Sequence, residues 1–138
     1  MKIVIDCDDA AIALKKTIAD HLTKAGVEVT DLDYLGKNNG AFYPEIGYNL
    51  ALKIQDGSFD RGILICGTGL GMAMIANKVE GVFAGVCHDV FSAERLRKSN
   101  DASHKCSFIM KIGLHMPFFF YYNRKEGKNQ GIPFKTVE

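Results

Sequence analysis

The densest chemistry in this 138-residue chain is a thiol followed at once by glycines: Gly62-Ile63-Leu64-Ile65-Cys66-Gly67-Thr68-Gly69-Leu70-Gly71-Met72. Three glycines in the five positions after Cys66 let the backbone turn tightly and bring several N–H groups close to an anionic ligand. Such donors favour a thiolate held at the rim of the turn. A proton-transferring group beside a nest of donors is the pairing needed to form and hold an enediolate. Two plainer roles compete with this one. Cys66 could be an inert strand-end thiol, the usual state of a free cysteine. The glycines could cradle a nucleotide phosphate, but Gly67-x-Gly69-x-Gly71 matches neither the dinucleotide fingerprint nor the lysine-containing phosphate loop.

Two further polar clusters sit where apolar runs end: Cys7-Asp8-Asp9 and Cys87-His88-Asp89. Asp8 and Asp9 are candidates to cap a helix or to meet a ligand. His88 reads as a hydrogen-bonded strand-end histidine. Cys7, Cys66, Cys87 and Cys106 lack the close spacing of a metal site, so no metal is expected. Lys78 and the Lys15-Lys16 pair read as solvated helix charges.

The elements that must position these groups alternate. Lys2 to Asp6 reads as a strand, and Leu14, Ile18, Leu22 and Ala25 recur at helical spacing before a stop at Gly26. Val27 to Leu32 is a second strand. Pro44 opens a helix carrying Ile46, Leu50 and Ile54 on one face. Arg61 to Cys66 is the third strand, followed by a helix through about Lys78, a fourth strand at Val82 to Cys87 and a helix from Val90 to Lys98. Strands alternating with helices predict an α/β sandwich of three layers around a five-stranded parallel sheet. Ser103 to Gly113 supplies the fifth strand, whose polar start makes it a poor buried one. In such sheets ligands bind beyond the carboxyl ends of the strands, where the three clusters would converge. Residues 1–113 form the expected domain. Residues 114–138, with the apolar run Met116 to Tyr122, form a tail expected to pack on the core or against another subunit.

Composition sets outer limits. An apolar content of 47%, a charged content of 24% and a net charge of +1 suit an ordinary globular domain and give no broad field for nucleic acid or a membrane surface. Asp6 comes too early for a signal peptide, no apolar run approaches a spanning helix, and the scattered cysteines suit a reducing cytoplasm.

From Met1 to about Ala102 the chain resembles the type B ribose-5-phosphate isomerase family, which includes the paired galactose-6-phosphate isomerase subunits. The resemblance is carried by Ile63 to Met72, Ala76-Asn77-Lys78-Val79, Val86-Cys87-His88-Asp89 and Ser99-Asn100-Asp101-Ala102. It implies a Rossmann-like (flavodoxin-like) fold and an aldose–ketose isomerase acting on a sugar phosphate without a cofactor. On that resemblance Cys66 is the base, with Thr68 beside it. Gly67, Gly69 and Gly71 lie in the loop that holds the enediolate, and Asp8, Asp9, Tyr43 and Asn100 meet the substrate. A site between two subunits is implied too, hence a homodimer or a dimer of dimers.

The sequence also departs from the family pattern. Asp9 stands where a histidine is usual, Ser99 replaces a histidine, and the arginine motifs that grip phosphate have no clear match after residue 102. These departures leave open a second expectation: a weakly active or inactive sugar-binding subunit that assembles with a paralogue.

Overall fold

The computed structural model describes residues 1–38, 40–99, 106–111, 118–123 and 128–133. Within them β1 (Lys2–Cys7), β2 (Glu28–Asp31), β3 (Arg61–Cys66), β4 (Phe83–Cys87) and β5 (Cys106–Lys111) form one sheet in the order β2-β1-β3-β5-β4. Every pairing in it is parallel. The expected parallel sheet is present, with one difference of placement. The fifth strand, Cys106–Lys111, is internal, lying between β3 and β4. The polar residues 103–105 that argued against a buried strand lie outside the described residues.

Helices cover both faces. They are α1 (Ile12–Lys24), the single turn α2 (Tyr34–Lys37), α3 (Tyr43–Gln55), α4 (Leu70–Ala76) and α5 (Val90–Ser99). Alternation along the strands divides the core in two. Ile3, Ile5, Cys7, Ile63 and Ile65 pack with Ile18 and Leu22 of α1. Val4, Leu64 and Cys66 pack with Ile46, Leu50 and Ile54 of α3 and with Met72 and Ala76 of α4. Cys7 and Cys66 therefore end neighbouring strands but belong to opposite layers.

Asn77, which closes α4, serves the sheet rather than any chemistry. Its side-chain amide donates to Ala84 O at 2.7 Å and its Oδ1 accepts the Ala84 N–H at 3.0 Å. The edge strand β4 thus gains a partner in place of a neighbouring strand. The aromatic run forms β6 (Phe118–Asn123), paired antiparallel with β7 (Lys128–Pro133) in a separate two-stranded sheet. The expected boundary between residues 113 and 114 lies outside the described residues. Among the described residues no helix is long and apolar enough to cross a membrane.

Candidate active site

β3 delivers Cys66 at its carboxyl end, where the thiol is buried against the α3–α4 layer. The chain then turns through Gly67 and Thr68 to Gly69, whose φ of 76° lies in the left-handed region. A side chain there would be strained, so glycine is what allows this turn. The turn aims the Gly69 N–H back at the cysteine, donating to Sγ at 3.0 Å. Thr68 Oγ1 accepts the Leu70 N–H at 3.3 Å and so helps to start α4. The sulfur and the turn form one unit, joined by a backbone donor on the sulfur.

Asp8 is brought to this turn by the sheet ladder. Cys7 pairs with Ile65, and one step on the Asp8 N–H donates to Ile65 O at 3.2 Å. The Asp8 carboxyl lies above its ordinary value of 3.8, chiefly through burial and then through the charge of Asp9. The N–H groups of Ala10 and Gly67 face it and oppose that shift. Oδ1 is buried and has no hydrogen-bond partner among the described residues. Asp8 makes no side-chain cap to the 3₁₀ turn Asp9–Ala11 that follows. Its buried, unsatisfied Oδ1 beside the cysteine turn can accept a ligand hydroxyl. Asp9 is exposed on the same rim.

Tyr43 arrives from α3. Glu45 accepts the Phe42 N–H at 3.0 Å, and Pro44 lies in the first turn, so the helix start is firmly set. The Tyr43 ring lies directly against Gly71: a Cβ built on that glycine would be 2.5 Å from Cε2. The structure thus brings together Cys66, Gly67, Thr68, Gly69, Gly71, Asp8, Asp9 and Tyr43. Asn100 lies outside the described residues.

The third cluster has a different role. Asp89 Oδ1 accepts the Ser92 N–H at 2.7 Å, while Ser92 Oγ accepts the N–H groups of His88 and Asp89. The Ser92 N–H, then its hydroxyl, hold the Asp89 carboxyl below its ordinary range. This pair caps α5.

One expectation is overturned. Lys15 is not a solvated helix charge: it is 6% exposed, and its Nζ donates to Asp31 Oδ1 at 2.8 Å. Asp6, fully buried at the end of β1, lies 3.6 Å from the same ammonium, and Asp33 lies at 3.7 Å. Burial disfavours the ammonium, but the Asp31 hydrogen bond and the surrounding charges outweigh it and raise its pKa. A signal for this existed in the sequence. Ala11, Lys15, Ile18 and Leu22 recur at helical spacing, so Lys15 falls on the stripe that packs against the sheet. Burial also pushes the Cys7 thiol up to about 12, despite Lys15, so Cys7 stays protonated and is no rival base.

The description "Ribose/Galactose Isomerase" belongs to the protein-family model that matches residues 3–106. D-erythrulose-4-phosphate isomerase of Pectobacterium atrosepticum is 51% identical over 102 residues, covering 74% of this chain and 67% of that protein. Ribose-5-P isomerase B of Listeria innocua is 48% identical over 113 residues, covering 82% of this chain and 76% of its relative. Among solved structures, ribose-5-phosphate isomerase B of Clostridium thermocellum aligns with a TM-score of 0.70 at 43% identity, over 83% of this chain and 73% of that one.

Proposed function

Because this chain belongs to the ribose/galactose isomerase family and is an aldose–ketose isomerase of the sugar-phosphate type, we propose that Cys66 is the base of its reaction. The observation that carries this is the Gly69 N–H on Cys66 Sγ inside the glycine turn. As a thiolate, Cys66 removes the proton from C2 of the open-chain aldose. The electron pair forms the C1–C2 double bond of an enediolate, and the carbonyl oxygen at C1 takes the negative charge. The hydroxyl proton then passes from O2 to O1, which moves the negative charge to O2. Returning the carbon-bound proton from the thiol to C1 yields the ketose and regenerates the thiolate, so no external oxidant or reductant is needed. The N–H groups of the turn meet the developing oxyanion, Thr68 lies beside the reacting carbons, and Asp8, Asp9 and Tyr43 contact the sugar.

The substrate in this reading is a four- or five-carbon aldose phosphate, of the ribose 5-phosphate or erythrose 4-phosphate type. Relatives named for either class lie at similar identity. The active unit is a homodimer. Exposed Phe42, Leu70 and Met74 around the turn supply apolar surface for a second subunit to cover. Exposed Asp9 beside Asp8 favours a second reading, a sugar-binding subunit of low turnover, since two carboxylates at one rim oppose a phosphate.

Purified protein assayed with four- and five-carbon aldose phosphates, beside the unphosphorylated sugars, separates the readings. Turnover that falls by at least about a hundredfold in Cys66→Ala, with sugar phosphate still bound, is the expected result. Undiminished turnover in that variant would refute the base assignment, and a wild-type protein that binds without turnover would support the second reading.

A further inference from the structure

We propose that Lys15 is a positioning residue for Asp8, acting from beneath the site through the end of β1. It rests on the assignment of Asp8 as a sugar contact. Asp6, two residues before Asp8, has no exposure to solvent. Its two oxygens are committed: Oδ1 accepts the Cys7 N–H at 2.8 Å and Oδ2 accepts the Tyr34 N–H at 3.1 Å. One carboxylate thus ties the last turn of β1 to the segment after β2. One further link holds the same two segments together: the Leu32 N–H donates to Ile5 O at 3.1 Å. Within the second segment, Lys37 Nζ donates to Leu32 O.

Both N–H donors on Asp6 are best accepted by a charged carboxylate, whereas burial opposes that charge. Lys15 is the cation that makes the charge tolerable. Its ammonium faces Asp6, Asp31 and Asp33, and the Cys7 thiol lies in the same surroundings. Asp33 is itself set in a left-handed conformation, φ 47°, with its carboxyl against Gly36. The ammonium therefore draws β1 and the β2–α2 connection onto α1. Removing it leaves Asp6 buried without its counter-charge; the carboxyl then takes up a proton, which loosens its hold on the Cys7 and Tyr34 N–H groups, or the β1 end moves. Asp8 rides on that end. The position of its carboxyl against the Gly67 N–H therefore depends on Lys15 through the backbone of β1.

The test is a double-mutant cycle with Lys15→Met and Asp8→Asn, read by kcat/KM, thermal melting and the Gly67 amide resonance. Lys15→Met is expected to lower kcat/KM by about tenfold in the wild-type background and by less than about twofold in the Asp8→Asn background. The melting shift should be similar in both. The Gly67 amide should move in Lys15→Met and be restored in Lys15→Arg. Equal losses of kcat/KM in the two backgrounds, or an unmoved Gly67 amide, would overturn the inference. If Lys15→Met does not fold, Asp31→Asn removes the ammonium's 2.8 Å partner and runs the same cycle. A wild-type protein that neither turns over nor binds a sugar phosphate, with the Gly67 amide still responding to Lys15, would defeat the assignment of Asp8 to substrate while leaving the positioning itself intact.

Discussion

The ring of Tyr43 lies against Gly71 so closely that a Cβ added to the glycine would stand 2.5 Å from Cε2 and 3.0 Å from Cζ. The start of α3 and the start of α4 can approach to this distance only where one of them lacks a side chain. Gly71 therefore has a steric part in the candidate site: it leaves the room that the Tyr43 ring occupies against the start of α4.

Gly71→Ala is accordingly expected to displace Tyr43, lowering kcat/KM while costing about 1–3 kcal/mol of stability as an overpacked contact. In Tyr43→Ala the same glycine substitution should cost little, because the obstructing ring is gone. Chemical denaturation of the four proteins of this cycle checks the coupling. Independent, additive effects would contradict the contact.

Gly69 tests the turn itself. With φ at 76°, an alanine there is strained by roughly 1–2 kcal/mol, and relaxing that strain rotates the N–H away from Cys66 Sγ. Gly69→Ala is expected to reduce turnover far more than Gly67→Ala, since Gly67 is not in the left-handed region and a Cβ built there meets no atom within 4 Å. Steady-state kinetics of the two variants, side by side, decides it. Equal losses would mean that the sulfur contact has no role in turnover.

The buried Asp6 makes a pH signature. Burial raises its carboxyl above the ordinary 3.8, although the N–H groups of Cys7 and Tyr34 and the Lys15 charge all work against the rise. A raised carboxyl contributes stability that is complete below its unfolded value and is lost as pH climbs through its folded value. Asp6→Asn removes this titration, while its loss of an acceptor is independent of pH. The difference in melting temperature, variant minus wild type, should therefore shift in favour of the variant as pH rises from about 4 to about 7. A shift the other way would mean that Lys15 and the two N–H donors hold the carboxyl below its unfolded value.

Much of this protein is legible in one dimension. Ile63-Leu64-Ile65 followed by Cys66 and the glycines announces a buried strand and a tight turn, because both are local consequences of side-chain size and backbone freedom. The order of strands and helices follows from hydrophobic periodicity, which repeats within a few residues. Asp8 could be placed near Cys66 only by the general rule that strand ends share an edge, and the register of Cys7 with Ile65 made that specific. Lys15 runs against expectation because a charged residue on a helix is normally solvated. Its position on the apolar stripe is visible, but the carboxylates that make burial tolerable lie 9, 16 and 18 residues away along the chain.

The sequence by itself determined the local parts of the candidate centre: a thiol at a strand end, a glycine turn able to present donors, and the α/β alternation that carries them. Tertiary structure alone decided that the Gly69 N–H turns back onto the sulfur, that Cys7 faces the opposite layer from Cys66, and that Tyr43 closes on Gly71. It also decided that Lys15 is buried among three carboxylates, of which Asp6 is itself fully buried. The reason is one of range. Turn geometry and amphipathic period depend on neighbours in the chain, whereas packing distance and charge compensation depend on groups that only the folded sheet brings together.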